Sequence, residues 1–207
     1  RHEFRFNPVD ATAVRLIVPG TGISPAGTAI DEIEVFAGSA AAPSALGVSA
    51  PGGAYGANNV ALATPTAIPF AQDLIGNGAL APPQANTNIN DGIYRNSTSW
   101  ICNNNAAISS FAGVNLNGEY TIDAIAFSRS NVASGDPCPG GVCTDRSQGA
   151  YTLQVTTSAN PTAATPDSAW QSVGVAAIDG STASPHLRRV YSFDPISGVT
   201  GVRVITS

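Results

Sequence analysis

Oxygen donors gather most densely in the stretch NDGIYRNSTS, where Asp91, Asn96, Thr98 and Ser99 accompany a glycine that permits a tight turn. Hard oxygen ligands on a compact loop suit Ca²⁺, so these residues form a candidate cation site. The same stretch also spells an Asx-type turn that needs no metal, because an aspartate accepts a backbone N–H two residues on. Both readings stay open. Sulfur chemistry has its own pair: CPGGVC sets Cys138 and Cys143 across a Pro-Gly-Gly turn, which favours a local disulfide in an oxidising compartment. A zinc site would want about four ligands, and only Cys102, His2 and His186 remain to complete one. Cys102 follows Trp100 and Ile101 in a strand-like run and reads as a buried thiol.

Hydrolysis would call for paired carboxylates at a cleft, or for a nucleophile with an oriented base. The densest acidic run is Asp31, Glu32 and Glu34. Alternation sets Ile33 and Val35 on one face and Glu32 and Glu34 on the other, the pattern of a solvated strand face. His2 and His186 sit beside Arg-rich strand starts, with no Ser or Cys in a recognisable nucleophile turn. No catalytic pair emerges, so the expectation is a non-enzyme.

The elements that must carry these residues follow from composition and period. Of the 207 residues 43% are hydrophobic and only 11% charged, enough apolar material for a core, and Gly 21 with Pro 15 favours turns over long helices. A net charge of −5 with scattered Arg leaves no basic stripe, which sets nucleic-acid binding aside. No apolar run approaches the roughly 18 residues that would span a bilayer, and ALATPTAIPFA is broken by prolines. Surfaces of Ser, Thr, Asn, Gly and Ala with little charge are common in secreted bacterial proteins, so an extracellular location is expected. The sequence contains no Met, and is expected to be a processed or excised piece of something longer.

The chain repeats itself. Phe6-Asn7-Pro8 answers Phe193-Asp194-Pro195, and Thr12, Val14, Arg15 and Ile17 answer Thr200, Val202, Arg203 and Ile205, with one inserted residue between the blocks. A repeat of this kind bears on the whole fold. Period two recurs throughout: AYTLQVTTS alternates Tyr151, Leu153 and Val155 with Thr152, Gln154 and Thr156, as a half-buried strand does. Further strands are expected at 2–6, 12–18, 30–36, 99–102, 111–116, 120–127, 170–176, 187–193 and 200–206. Many short strands between Gly, Pro, Asn and Ser clusters argue an all-β sandwich or barrel. The small-residue segment GSAAAPSALGVSAPGGAYG reads as a linker.

Taken in order, NINDGIYRNSTSWI, GEYTIDAIAFSRSN, DRSQGAYTLQVTTS, Trp170 and FDPISGVTGVRVIT resemble the discoidin-like (coagulation factor type C, galactose-binding-like) family. The resemblance implies an antiparallel β-sandwich of jelly-roll type with an extra N-terminal strand segment. It reads residues 1–38 as the terminal strands of one unit, 39–56 as a linker, and 57–207 as a second unit lacking its own final strand, which IDEIEVFAG would supply. Relatives often hold a structural calcium closed by a Glu of the last strand, here Glu32, beside Asp91, Asn96, Thr98 and Ser99. Sugar-binding relatives use loops matching 89–96 and 128–146, which makes Tyr94, Arg95, Arg129, Asn131, Asp145 and Arg146 glycan-binding candidates. The family's His-then-paired-Arg lectin signature is missing, and Arg129 with Asp145 also reads as a structural ion pair pinning the long loop. Asn96-Ser97-Thr98 is a glycosylation sequon, so Asn96 is a candidate for carrying sugar.

The expected function is that of a non-catalytic extracellular structural or adhesive subunit. Residues 1–38 would donate strands to a neighbouring copy, giving head-to-tail assembly into a filament or array. The alternative is a carbohydrate-binding module excised from a longer secreted enzyme or adhesin. Partners are thus other copies of the chain, or glycans.

Overall fold

Residues 13–18, 29–30, 32–36, 46–49, 58–63, 66–72, 85–94, 99–101, 110–129 and 147–206 are described by the computed structural model. Within them the period-two runs become strands: β1 (Ala13–Val18), β2 (Ala29–Ile30), β3 (Glu32–Phe36), β4 (Gly47–Val48), β5 (Ile68–Gln72), β6 (Trp100–Ile101), β7 (Ser110–Ser128), β8 (Gly149–Thr156), β9 (Gln171–Ile178) and β10 (Arg189–Thr206). The helical elements among the described residues are 3-10 turns at Asn86–Ile89 and Asp167–Ala169. No helix there is long and apolar enough to cross a membrane. The fold is an all-β sandwich.

Eight strands join in the order β3-β7-β1-β10-β8-β9, with β4 on β10 and β5 on β7, while β2 and β6 form a separate pair. β7 and β10 hold the layers together. They run 19 and 18 residues, well beyond the roughly 3 to 10 of ordinary strands, and neither stays regular. Asn117 in mid-β7 takes a left-handed φ of 52°. The register of β10 on β7 shifts between Ser192 and Ile196 and again before Val199, with Gly198 at φ 73°. Such bulges bend a strand and let it leave one layer for the other. The first part of β7 pairs with β5 and β1, its later part with β3 and β10. β10 likewise starts against β7 and β4 and finishes against β8.

The core lies between these layers. Ile125, Phe127, Tyr191 and Phe193 share one buried cluster with Val114, Leu153, Val155, Val202 and Val204. Phe127 stacks on Tyr191 at 4.7 Å between ring centroids and tilts against Tyr151 at 5.0 Å. Fully burying one such side chain is worth about 1.5–3 kcal/mol, so the inward face of each period-two run supplies the driving force.

Several expectations are revised. The stretches 111–116 and 120–127 fall within one strand, as do most of 187–193 and 200–206, because the residues between them turn a corner while the backbone stays extended. IPFAQ is a strand despite Pro69. β5 pairs with β7 alone, and an edge strand tolerates a residue with no N–H to give. Gly47–Val48, inside the stretch expected as a linker, pairs with Tyr191 and Ser192. Strands from 1–38 lie against the body of the same chain: β3 on β7, β2 on β6, and β1 on β7, β8 and β10. The strand expected at 2–6 falls outside the described residues.

Candidate functional site

The repeated phrase converges on one place. The last part of β10 pairs antiparallel with β8, Gly201 to Thr156, Val202 to Val155, Val204 to Leu153 and Ile205 to Thr152. β1 pairs antiparallel with the same residues, Ala13 to Thr156, Val14 to Val155, Leu16 to Leu153 and Ile17 to Thr152. Between the two segments Val14 matches Val202 and Arg15 matches Arg203, in parallel. The opposite edge of β8 belongs to β9, through Gly149 to Ile178 and Ala150 to Ala177, reinforced by a 2.9 Å bond from Gln154 Nε2 to Ser172 Oγ. A strand directs one set of N–H and C=O groups to each side, so one edge of β8 completes its ladder with one neighbour at a time. The two copies of the phrase thus address one slot beside β8 in the same register.

The side chains of the β10 copy show what the slot grips. Val202 and Val204 enter the core, and alternation sends Arg203 and Ile205 to the opposite face of the layer. There Phe70, Phe111, Trp170 and Ile205 form a second cluster, with Arg203 fully buried in it. Its guanidinium lies 4.2 Å from the Trp170 ring centroid and 4.9 Å from that of Phe111. Arg203 Nε donates to Gln154 Oε1 at 3.0 Å and Nη2 to Asp167 Oδ1 at 2.8 Å, while Nη1 has no hydrogen-bond partner. Asp167 is largely solvent-exposed, so water screens that pair and its contribution is small. Gly113 lines the slot from β7: a Cβ there would stand 2.5 Å from Phe70 and 2.6 Å from the Val202 carbonyl oxygen.

A second cluster of charge lies where β3, the end of β7 and the start of β10 meet. Glu32, expected on a solvated face, is fully buried, and its Oε2 accepts from the Gly92 N–H at 3.1 Å. Glu32 is thus covered by the Asp91 loop, which alternation alone does not reveal. Asp91 itself is exposed, and its Oδ1 accepts from the Ile93 N–H at 2.8 Å, the Asx turn. Arg129 is buried and Nη1 donates to Ser99 Oγ at 3.2 Å. Tyr94, a candidate platform for sugar stacking, is buried too.

Arg189 caps the turn before β10, donating to the carbonyls of Ser184 at 2.9 Å, Leu187 at 3.3 Å and Ala183. Burial brings its pKa down to about 10, partly opposed by Tyr191, whose own pKa burial pushes well up. His186 is buried, and desolvation, with the nearby Arg129 charge, holds its pKa below the usual value.

Of the five candidate calcium ligands, Glu32, Asp91 and Ser99 are described, and each is engaged by a protein donor. Among the described residues no group of three or more His, Cys, Asp or Glu gathers to hold a metal. These contacts tie Glu32 of β3 to the Asp91 loop and Ser99 to Arg129 at the end of β7. Asn96 and Thr98 fall outside the described residues, as do Arg95, Asn131, Asp145, Arg146, Cys102, Cys138, Cys143 and His2. The Arg203 box was missed as a site, although the repeat that carries its arginine was legible. Comparison of the chain with known protein families, with curated proteins and with solved structures finds no match.

Proposed function

We propose that the chain is a non-catalytic, extracellular structural or adhesive β-sandwich unit that assembles by strand sharing. The observation carrying this reading is that Ala13–Val18 and the end of β10 address β8 in the same register. One slot and two equivalent strands leave one strand to spare. A spare strand of matching sequence is what β-strand addition requires of a donor, and main-chain hydrogen bonds then supply the affinity. Because donor and slot are different parts of the surface, the contact is heterologous, and it propagates head to tail unless the rotation closes it into a ring. The discoidin-like resemblance is consistent with such a unit. The glycan-binding alternative has less to stand on, since Tyr94 and Arg129 are buried.

Sedimentation and electron microscopy over a concentration series test the proposal. The wild-type chain is expected to form concentration-dependent head-to-tail species. Val14→Pro, which deprives the donor copy of a ladder N–H and leaves the β10 copy intact, should stay monomeric. Wild-type chain that remains monomeric at every concentration, or Val14→Pro chain that assembles equally well, defeats strand sharing.

A further inference from the structure

We propose that Asn117 and Gly118, at the corner of β7, form a self-modification site where the asparagine carboxamide closes onto the Gly118 nitrogen and is converted to aspartate or isoaspartate. The inference does not depend on strand sharing and concerns one chain alone.

Such a ring closure asks for a side chain that no hydrogen bond restrains, a following residue with no Cβ in the way, and a backbone that no ladder locks. Three described steps join Asp or Asn to Gly: Asp91–Gly92, Asn117–Gly118 and Asp179–Gly180. Two of them are tied down. Asp91 Oδ1 accepts from the Ile93 N–H at 2.8 Å, and the Gly92 N–H, which would have to attack, donates to Glu32 Oε2 at 3.1 Å. Asp179 Oδ1 accepts from the Ser181 and Thr182 N–H groups at 2.8 and 3.1 Å and from both hydroxyls. These bonds, the Ser181 hydroxyl first, hold the Asp179 pKa below its usual value, so the group stays an anion and a poor electrophile.

Asn117 differs on every count. It is exposed, and its own N–H donates to Asn115 Oδ1 at 2.8 Å, while among the described residues no hydrogen bond reaches its carboxamide. The register of β5 on β7 ends at Asn115 and that of β10 on β7 reaches only to Tyr120, so neither holds Asn117 or Gly118. The left-handed φ of 52°, which Asn tolerates better than most residues, turns the corner here. A Cβ on Gly118 would stand 3.1 Å from the Tyr120 ring, so packing favours the same bare residue that leaves the attack open.

The step balances without a co-reactant other than water. The Gly118 nitrogen bonds to Asn117 Cγ, the Cγ–Nδ2 bond breaks, and ammonia leaves with the proton that the Gly118 N–H gives up. Water then opens the five-membered imide at one of its two carbonyls, giving aspartate, or isoaspartate with the main chain running through Cγ. Both products add a carboxylate beside the exposed Glu119. Isoaspartate also lengthens the backbone by one carbon, at a point between the two registers where no described ladder is shifted by it.

Incubation of the full chain in mildly alkaline heavy-oxygen water tests the site, with circular dichroism confirming that it stays folded and a parallel sample unfolded in urea. Cleavage after arginine puts Asn117 in the peptide 96–129, apart from Asp91 and from Asp179. Electron-transfer fragmentation then locates the label and separates isoaspartate from aspartate. The quantity read is each site's rate in the folded chain relative to its rate in urea. It should be close to one at Asn117 and far below one at Asp91 and Asp179. Conversion of Asn117 confined to urea, or protection of Asn117 as strong as that of the two aspartates, overturns the proposal. Gly118→Ala should slow the folded reaction severely, and an unchanged rate overturns the part assigned to the glycine.

Discussion

The coupling between Arg203 and Trp170 is open to direct measurement by a double-mutant cycle. Arg203→Met keeps an unbranched stem of similar volume and deletes the guanidinium, and Trp170→Leu deletes the ring that lies 4.2 Å from it. Arg203 is fully buried, so its cation–π contact belongs at the strong end, about 2 kcal/mol against roughly 0.5–1 at exposed sites. The bond to Gln154 Oε1 adds about 1.5–3 kcal/mol as a charged hydrogen bond, whereas the exposed Asp167 adds about 0–1. Against this, Nη1 is buried without a partner, and removing it recovers about 1–3 kcal/mol. At the midpoints of these ranges Arg203→Met should therefore destabilise by about 3 kcal/mol. Trp170→Leu adds a cavity cost of its own, which the cycle subtracts, leaving a coupling of about 1–2 kcal/mol. Urea unfolding followed by far-ultraviolet circular dichroism is suitable, because it does not depend on the tryptophan that is lost. A coupling within about 0.3 kcal/mol of zero, the scatter of independent sites, would show that the ring does not hold the guanidinium.

Three further outcomes are expected. Gly113→Ala drives a Cβ into Phe70, which can rotate away, and into the Val202 carbonyl, which cannot; it should cost at least about 1–3 kcal/mol in urea unfolding, and a neutral result would mean the slot is wider than described. Glu32→Ala should cost about 1.5–3 kcal/mol by loss of the charged acceptor for Gly92, while Glu32→Gln retains an acceptor and should cost clearly less; equal losses would place the contribution in the charge alone. For His186 the folded pKa is depressed below 6.5 by burial and Arg129, so the unfolded chain binds the proton more readily. Its contribution is full above the unfolded pKa and falls as pH drops through it, by at most about 1.4 kcal/mol per pH unit. Comparing the unfolding free energy of wild type and His186→Gln from pH 7 to 5 checks this, and parallel curves would remove His186 as a source.

Much of the fold was legible along the chain. Tyr151, Leu153 and Val155 against Thr152 and Gln154 announced β8, and each of those three apolar residues is buried. The strand at 170–176 appeared shifted by only a residue or two, as Gln171–Ile178. Glu32 was less accessible to sequence reasoning. Alternation divides a strand into two faces but does not say whether a polar residue meets water, and here the Asp91 loop covers Glu32. Arg203 illustrates the same gap, since its cover is assembled from Phe70, Phe111 and Trp170, which lie far apart in the sequence. Loop composition alone left the Asp91 stretch open between a ligand sphere and an Asx turn, and the Asx bond to the Ile93 N–H came only with the structure.

By itself the sequence determined the strand period, the all-β class and the duplication of the arginine-bearing phrase, because these depend on residue order and local sterics. That the two copies converge on one edge of β8, that β7 and β10 turn corners to bind the layers, and that an arginine is sealed between aromatic rings were decided only by tertiary structure. Register, burial and enclosure depend on which distant residues arrive alongside, and no local pattern carries that information.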